Sequence, residues 1–278
     1  MIGLSNDHIL EYVAGSASLG FDGKGYWWQL LWRLAGKLKP ELFTIVLKTI
    51  TKKKRAGNSK LYWPYGTVKH IEFEGKQGIV NAKGLGNPGI EKWCTKYASR
   101  IDWEEANLIA SIYAENKEEL CELTTAFNKY PFKAIEINAL CPNVAAPRII
   151  DTEFVVKACE AVYEVSKHPI LLKLTTMHDY QEIVEQTFCI VEAIEINSVP
   201  WSWSMIFPNT KSPMEKYGGG AVSGQLAQEI TWKMVKEIAE LQLTPVIAPS
   251  IWKYEDIAKV RKLGAQAISM CARFHNPE

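Results

Sequence analysis

The residues of this 278-residue chain that could do chemistry gather in a few short runs, and Asn138-Ala-Leu-Cys-Pro-Asn143 is the most compact of them. It places a thiol between two carboxamides directly after the apolar run Ala134-Ile-Glu-Ile. A cysteine alone is most often a small buried apolar residue. Here Pro142 stiffens the loop, and Asn138 and Asn143 supply donors and acceptors suited to a planar polar ligand. Polar residues end other apolar runs in the same way: Lys48-Thr49, Lys173 and Asn197-Ser198. Each lysine has three readings: a Schiff-base nucleophile, a contact to a phosphate or cofactor, or a long side chain reaching the rim.

Gly218-Gly-Gly220, followed by Val222-Ser-Gly-Gln225 and a helical pattern, reads either as backbone amides holding an anion at a helix start or as a plain flexible loop. Cys94, Cys121, Cys159 and Cys189 fall in helical patterns and read as structural thiols, whereas Cys271 ends an apolar run. None of the six cysteines forms a Cys-x-x-Cys pair or a zinc spacing with histidine, so no metal is expected. Trp201 and Trp203 receive no catalytic role.

These positions need a scaffold that brings strand ends together. Apolar, β-branched runs at residues 12–14, 43–48, 108–112, 134–138, 170–174, 193–199, 245–248 and 267–270 read as eight strands. Helical patterns at 115–128, 152–166, 180–188, 225–241 and 254–263 lie between them, with Asp151 at a helix start and Gly264 at a helix end. Such alternation predicts an α/β fold, a (β/α)8 TIM barrel, with residues 1–278 as a single barrel domain. A basic loop at 52–57, a hairpin at 62–73 and an apolar run at 78–81 form an excursion between strands two and three. The chain ends soon after the eighth strand, so a closing helix is missing from the pattern.

Lysine and arginine number 32 against 31 acids, a net charge of +1, which gives no long-range field towards nucleic acid or an anionic membrane. The longest apolar stretches, 169–174 and 191–199, are too short to cross a bilayer, and residues 1–10 lack a signal-peptide pattern. A soluble, cytoplasmic enzyme with no membrane or nucleic-acid partner is expected.

From about residue 14 to 274 the chain resembles the dihydroorotate dehydrogenase family, in its soluble class 1 type. The resemblance rests on Glu136-Ile-Asn-Ala-Leu-Cys-Pro-Asn143, flanked in family order by Thr44-Ile-Val-Leu-Lys-Thr49 with Gly57-Asn58, then Asn81-Ala-Lys-Gly-Leu85 with Asn87-Pro-Gly89. Leu171-Leu-Lys173, Ile196-Asn-Ser198 and Gly218-Gly-Gly-Ala-Val-Ser-Gly224 follow. The resemblance implies an FMN enzyme of pyrimidine biosynthesis that oxidises dihydroorotate to orotate, with Cys141 as the base for the C5 proton and hydride transfer from C6 to flavin N5. It implies that Lys48, Thr49, Lys173, Ser223 and Gly224 contact FMN, with Ala14 and Gly15 behind it. It also implies that Asn81, Gly84, Leu85, Asn138, Asn143, Asn197 and Ser198 hold the substrate, Asn138 and Asn197 reaching the cofactor as well. A homodimer and an electron-transfer partner subunit are further implications, and the electron acceptor stays open.

The chain departs from the family pattern at the FMN phosphate. Glycine pairs after strands seven and eight are replaced by Pro249-Ser250 and Cys271-Ala272, leaving the Ser250 hydroxyl and Arg273 as substitutes. Lys83 stands where many relatives have an apolar residue, which implies a shifted substrate preference. Two other functions compete: a Schiff-base lyase using Lys173 or Lys48, and a catalytically inactive barrel subunit serving binding or assembly.

Overall fold

The computed structural model describes residues 1–58, 64–139, 151–203 and 210–275. Its centre is a closed barrel of eight parallel strands: β1 (Tyr12–Ala14), β2 (Thr44–Val46), β3 (Leu108–Ile112), β4 (Ala134–Asn138), β5 (Ile170–Leu174), β6 (Ala193–Ile196), β7 (Val246–Ala248) and β8 (Ala267–Met270). Neighbours in sequence are neighbours in space, and β8 pairs with β1 to close the ring. Every residue of β3, β4 and β5 is buried, as parallel strands covered on both faces require.

Among the described residues seven α-helices accompany the strands: α1 (Leu30–Leu34), α2 (Ile90–Lys96), α3 (Lys117–Phe127), α4 (Thr152–Val165), α5 (Tyr180–Thr187), α6 (Gln228–Leu241) and α7 (Tyr254–Lys262). The side chains of Asn116, Asp151 and Asp179 accept from the amides of Glu119, Glu153 and Glu182, capping α3, α4 and α5. Gly264, at φ +99°, follows α7 where only a glycine turns without strain.

Period-two alternation sorts the barrel interior into layers. Val13, Val46, Ile109, Ala134, Leu171, Ala193, Ile247 and Ala267 form an apolar lower layer, capped below by Ile2, Leu4 and Leu10 of a short N-terminal hairpin. Two residues further along their strands stand Ser111, Glu136, Lys173, Glu195 and Ser269, a polar layer beneath the open end. The pentapeptide Ala-Ile-Glu-Ile-Asn occurs twice, as 134–138 and 193–197, on the two strands that flank β5.

A four-stranded antiparallel sheet lies outside the barrel, in the order Val199–Pro200, Ala221–Gly224, Lys76–Asn81, Val68–Phe73. The hairpin expected over 62–73 is corrected by this sheet: its strands are Val68–Phe73 and Lys76–Asn81, turning at Glu74 and Gly75 with φ +50° and +71°. The run at 78–81 is therefore the hairpin's second strand. The glycine run also takes another role, because it leads into the strand Ala221–Gly224 and not directly into a helix. A Cβ on Gly220 would come within 2.6 Å of the Asn81 carbonyl oxygen, so close approach of two backbones explains that glycine.

After β8 the described chain makes only a 3-10 turn, Ala272–His275. Gln29 donates to the carbonyls of Ser18 and Phe274 at 3.0 and 2.9 Å, and Phe274 packs edge-on against Phe43, which ties this turn to the first βα unit. Among the described residues no helix is long and apolar enough to cross a membrane.

Gly36 and Gly220 both sit at positive φ, but only Gly220 is crowded. Thermal denaturation should show Gly36→Ala lowering the midpoint by about 2–4 °C, the effect of left-handed backbone alone, and Gly220→Ala lowering it at least twice as far.

Candidate active site

At the C-terminal ends of the strands a cleft of about 1140 Å³ opens. Its floor is the buried ion cluster of the polar layer. Lys173 Nζ lies 3.3 Å from Glu195 Oε1 and 3.5 Å from Glu136 Oε2, and all three side chains are nearly inaccessible to solvent. Ser111 donates to Glu136 at 2.7 Å and Ser269 to Glu195 at 2.8 Å.

One lysine cannot neutralise two buried carboxylates, so one acid must keep its proton. Burial pushes the Glu136 carboxyl well above the usual range, and the neighbouring Glu195 adds to that push against the pull of Lys173. Burial acts the same way on Glu195, but Lys173 and the hydrogen bonds from Glu136, Ser269 and Lys173 outweigh it and hold this carboxyl low. Glu136 thus carries the proton and offers it to Glu195. Glu195 Oε2 itself is buried and has no hydrogen-bond donor among the described residues. Burial works against the charged form of Lys173, yet the two carboxylates raise its pKa and keep it protonated. A Schiff-base nucleophile needs a neutral amine, so this environment opposes the lyase role for Lys173.

Above the cluster runs a chain of hydrogen bonds. Thr49 Oγ1 sits 2.8 Å from Ser111 Oγ and 3.2 Å from Ser16 Oγ, and it accepts from Asn138 Nδ2 at 3.2 Å. Asn197 Nδ2 donates to Asn138 Oδ1 at 3.5 Å, and the Asn197 oxygen accepts the Ser198 amide at 2.8 Å. The amides of β4 and β6 are thereby oriented from below. Asn81 comes from the outer sheet, where its backbone pairs with Ala221 and its Nδ2 donates to the Ala221 carbonyl at 3.4 Å.

Residues 19–273 match a family model described as dihydroorotate dehydrogenase. The chain belongs to the dihydroorotate dehydrogenase family. It is 31% identical to a protein of Caldicellulosiruptor saccharolyticus named dihydroorotate dehydrogenase B (NAD(+)), catalytic subunit, over 86% of this chain and 78% of that one. Proteins of the same name from Caldicellulosiruptor bescii and Staphylococcus carnosus are 31% and 26% identical, covering 86% and 85% of this chain and 78% and 77% of theirs. A sialic acid aldolase of Ruminococcus gnavus superposes with a TM-score of 0.44 at 11% identity, over 68% of this chain and 54% of that one.

For this dihydroorotate dehydrogenase family member, most residues singled out in the sequence meet in the one cleft. Gly15, Lys48, Thr49, Asn81, Leu85, Asn138, Lys173, Asn197, Ser198, Ser223, Gly224, Ser250, Cys271 and Ala272 all line it. Ala14 is fully buried in β1, and Gly84 stands in the loop behind Leu85, where a Cβ would press on the Asn58 carboxamide at 3.0 Å. Cys141 and Asn143 lie outside the described residues. Sequence reasoning passed over Glu195, Ser269, Ser16 and His275, which also line the cleft, and Glu136 beneath it.

At the inner end the cleft suits a flat ring. A Cβ on Gly15 would meet Ser269 Oγ at 3.0 Å and the Cys271 Cβ at 3.4 Å, and one on Gly224 would meet the Trp252 ring at 3.0 Å. Both glycines keep the walls close. The end expected to hold a phosphate departs from that purpose. Pro249 has no amide proton, Ser250 is left-handed at φ +65°, and the amides of Trp252 and Lys253 are taken by Asp256 Oδ2 at 3.0 and 2.9 Å. Arg273, 5.2 Å over the Trp252 ring, lines the separate groove beside Leu38 and Phe43 and not the cleft. The residues present would fit the flat ring of FMN, with the Ser250 hydroxyl as the cleft-lining side chain that could meet its phosphate.

At the mouth, Lys83 Nζ lies 5.3 Å over the Tyr26 ring. Burial holds the Lys83 pKa down, and burial followed by Lys83 and His70 holds His275 well below its usual value. A depressed histidine stabilises the fold above its unfolded pKa and loses that contribution as pH falls. The midpoint of thermal denaturation should therefore drop on acidification below about pH 6.5, and His275→Gln should flatten that dependence. In the ion cluster, Glu136→Gln replaces an acid that is already neutral and should cost under about 1 kcal/mol, whereas Lys173→Met leaves the buried Glu195 charge without its counter-ion and should cost about 3 kcal/mol or more in urea denaturation.

Proposed function

We propose that this chain oxidises dihydroorotate to orotate in pyrimidine biosynthesis, with FMN as its resident cofactor. The observation that carries the reading is the meeting of Asn81, Asn138 and Asn197 with Lys48, Thr49 and Lys173 in one cleft, in a chain whose family match covers residues 19–273. When bound, FMN supplies the acceptor for a hydride.

The chain's own groups then have distinct tasks. Asn81, Asn138 and Asn197 present carboxamides, which pair with the ring N–H and C=O groups of a dihydropyrimidine and fix its orientation. Lys173 stays charged at the floor with Glu195 as its counter-ion, giving a fixed field beneath a ring that gains electron density. Cys141 takes the C5 proton onto its sulfur, and Asn143 joins the substrate contacts. A thiol with an ordinary pKa of about 8.5 needs only modest depression by nearby amides or lysine to serve near neutrality. The outer sheet, through Asn81 and Ser223, shields the cleft from bulk water.

The relatives named above are catalytic subunits of NAD(+)-linked enzymes. We extend the reading to a partner subunit that receives the electrons from this chain.

Cys141 is testable by replacement. Cys141→Ala protein should retain flavin absorbance when loaded with FMN, while flavin reduction by dihydroorotate slows by about 10²-fold or more in anaerobic stopped flow. Undiminished reduction would remove Cys141 from the role of base.

A further inference from the structure

Helix α1 has its apolar face on the wrong side for a barrel helix. Trp27, Leu30, Leu31 and Leu34 follow the i, i+3, i+4, i+7 spacing of a single helical stripe, and they are 79%, 53%, 72% and 77% exposed. The inward face is made by Gln29, fully buried, with Trp28 and Trp32 in edge contact. Leu42, 63% exposed, extends the apolar surface along a groove lined by Leu38, Phe43 and Phe274. Five large apolar side chains on one short segment form a patch that a protein surface does not keep without a use.

The charge around the stripe identifies the use. Residues 24–42 contain Lys24, Arg33, Lys37 and Lys39, all exposed, against one acid, Glu41, in a chain that holds 32 cations to 31 acids overall. Leucine and tryptophan in the centre with a rim of lysine and arginine is the composition of a helix lying in a lipid headgroup region. Protein interfaces are depleted in lysine, and leucine is under-represented among their energetic anchors. A symmetric contact with a second copy would bring two rims of like charge together.

We propose that the segment from Lys24 to Leu42 docks this protein peripherally on the surface of an anionic lipid bilayer. The leucines and Trp27 enter the headgroup boundary while the four cations meet lipid phosphates. Nothing in this spans the membrane. The inward side of the same segment reaches the cleft mouth: Tyr26 stacks on Trp28 at 5.5 Å, Trp28 lies 5.4 Å from His275, and Lys83 rests over Tyr26. Docking therefore sets the mouth of the cleft beside the bilayer.

The test is co-sedimentation of the purified full chain with vesicles of phosphatidylcholine, alone or with about 30% phosphatidylglycerol. Binding should be at least about tenfold stronger to the anionic vesicles and should weaken in high salt. Leu31→Glu/Leu34→Glu and Lys37→Glu/Lys39→Glu alter exposed positions only. Each should keep the wild-type melting curve and lose at least about tenfold in binding. Absence of binding to anionic vesicles would overturn the proposal, as would binding that Leu31→Glu/Leu34→Glu leaves intact. A solution dimer that Leu31→Glu/Leu34→Glu dissociates would also overturn it, making the stripe a protein interface.

Discussion

A lysine at the centre of a barrel is tolerated only if its charge is answered locally, and here the answer comes from both neighbouring strands. Lys173 on β5 lies between Glu136 on β4 and Glu195 on β6, with Ser111 and Ser269 completing the acceptors' bonds. One proton shared by the two acids leaves the cluster neutral overall, which is what a buried, dry site demands. The polar residues above inherit their positions from it. Thr49 and Asn138 hang from the Ser111 side, Asn197 bonds to Asn138, and Gly15 packs against Ser269 on the other.

The fold supplies this arrangement through layering. The apolar ring below excludes water from the cluster, and the antiparallel sheet outside adds Asn81 and Ser223 from above. A fixed charge at the base of the cleft and carboxamides on its walls are groups already oriented before any ligand enters. The outer end is less committed. Asp256 occupies amides there that would otherwise be open to an anion, which leaves side chains and not backbone as the free donors at that end.

How much of this could be read from the sequence varied with how local the signal was. The strands Leu108–Ile112, Ala134–Asn138 and Ile170–Leu174 were legible to the residue, because continuous apolar runs between turn signals leave little choice. Helix α1 was not, since its apolar stripe faces solvent and no side chain caps its start. The hairpin was misplaced because Val68–Phe73 has no buried residue and shows no clear alternation, so its pairing with Lys76–Asn81 depends on the sheet beyond it. The asparagines and Lys173 were found from their place at strand ends. The two acids were not, being 59 residues apart; the repeated Ala-Ile-Glu-Ile-Asn on either side of β5 was the signal that would have revealed them.

We propose above all that this cleft brings dihydroorotate together with a bound flavin. Anaerobic titration of the FMN-loaded wild-type protein with dihydroorotate, followed in the visible spectrum, tests it most directly. Flavin absorbance should bleach in proportion to the dihydroorotate added, and orotate should accumulate to match. Protein that retains no flavin after incubation with FMN, or retained flavin that stays oxidised, would contradict it.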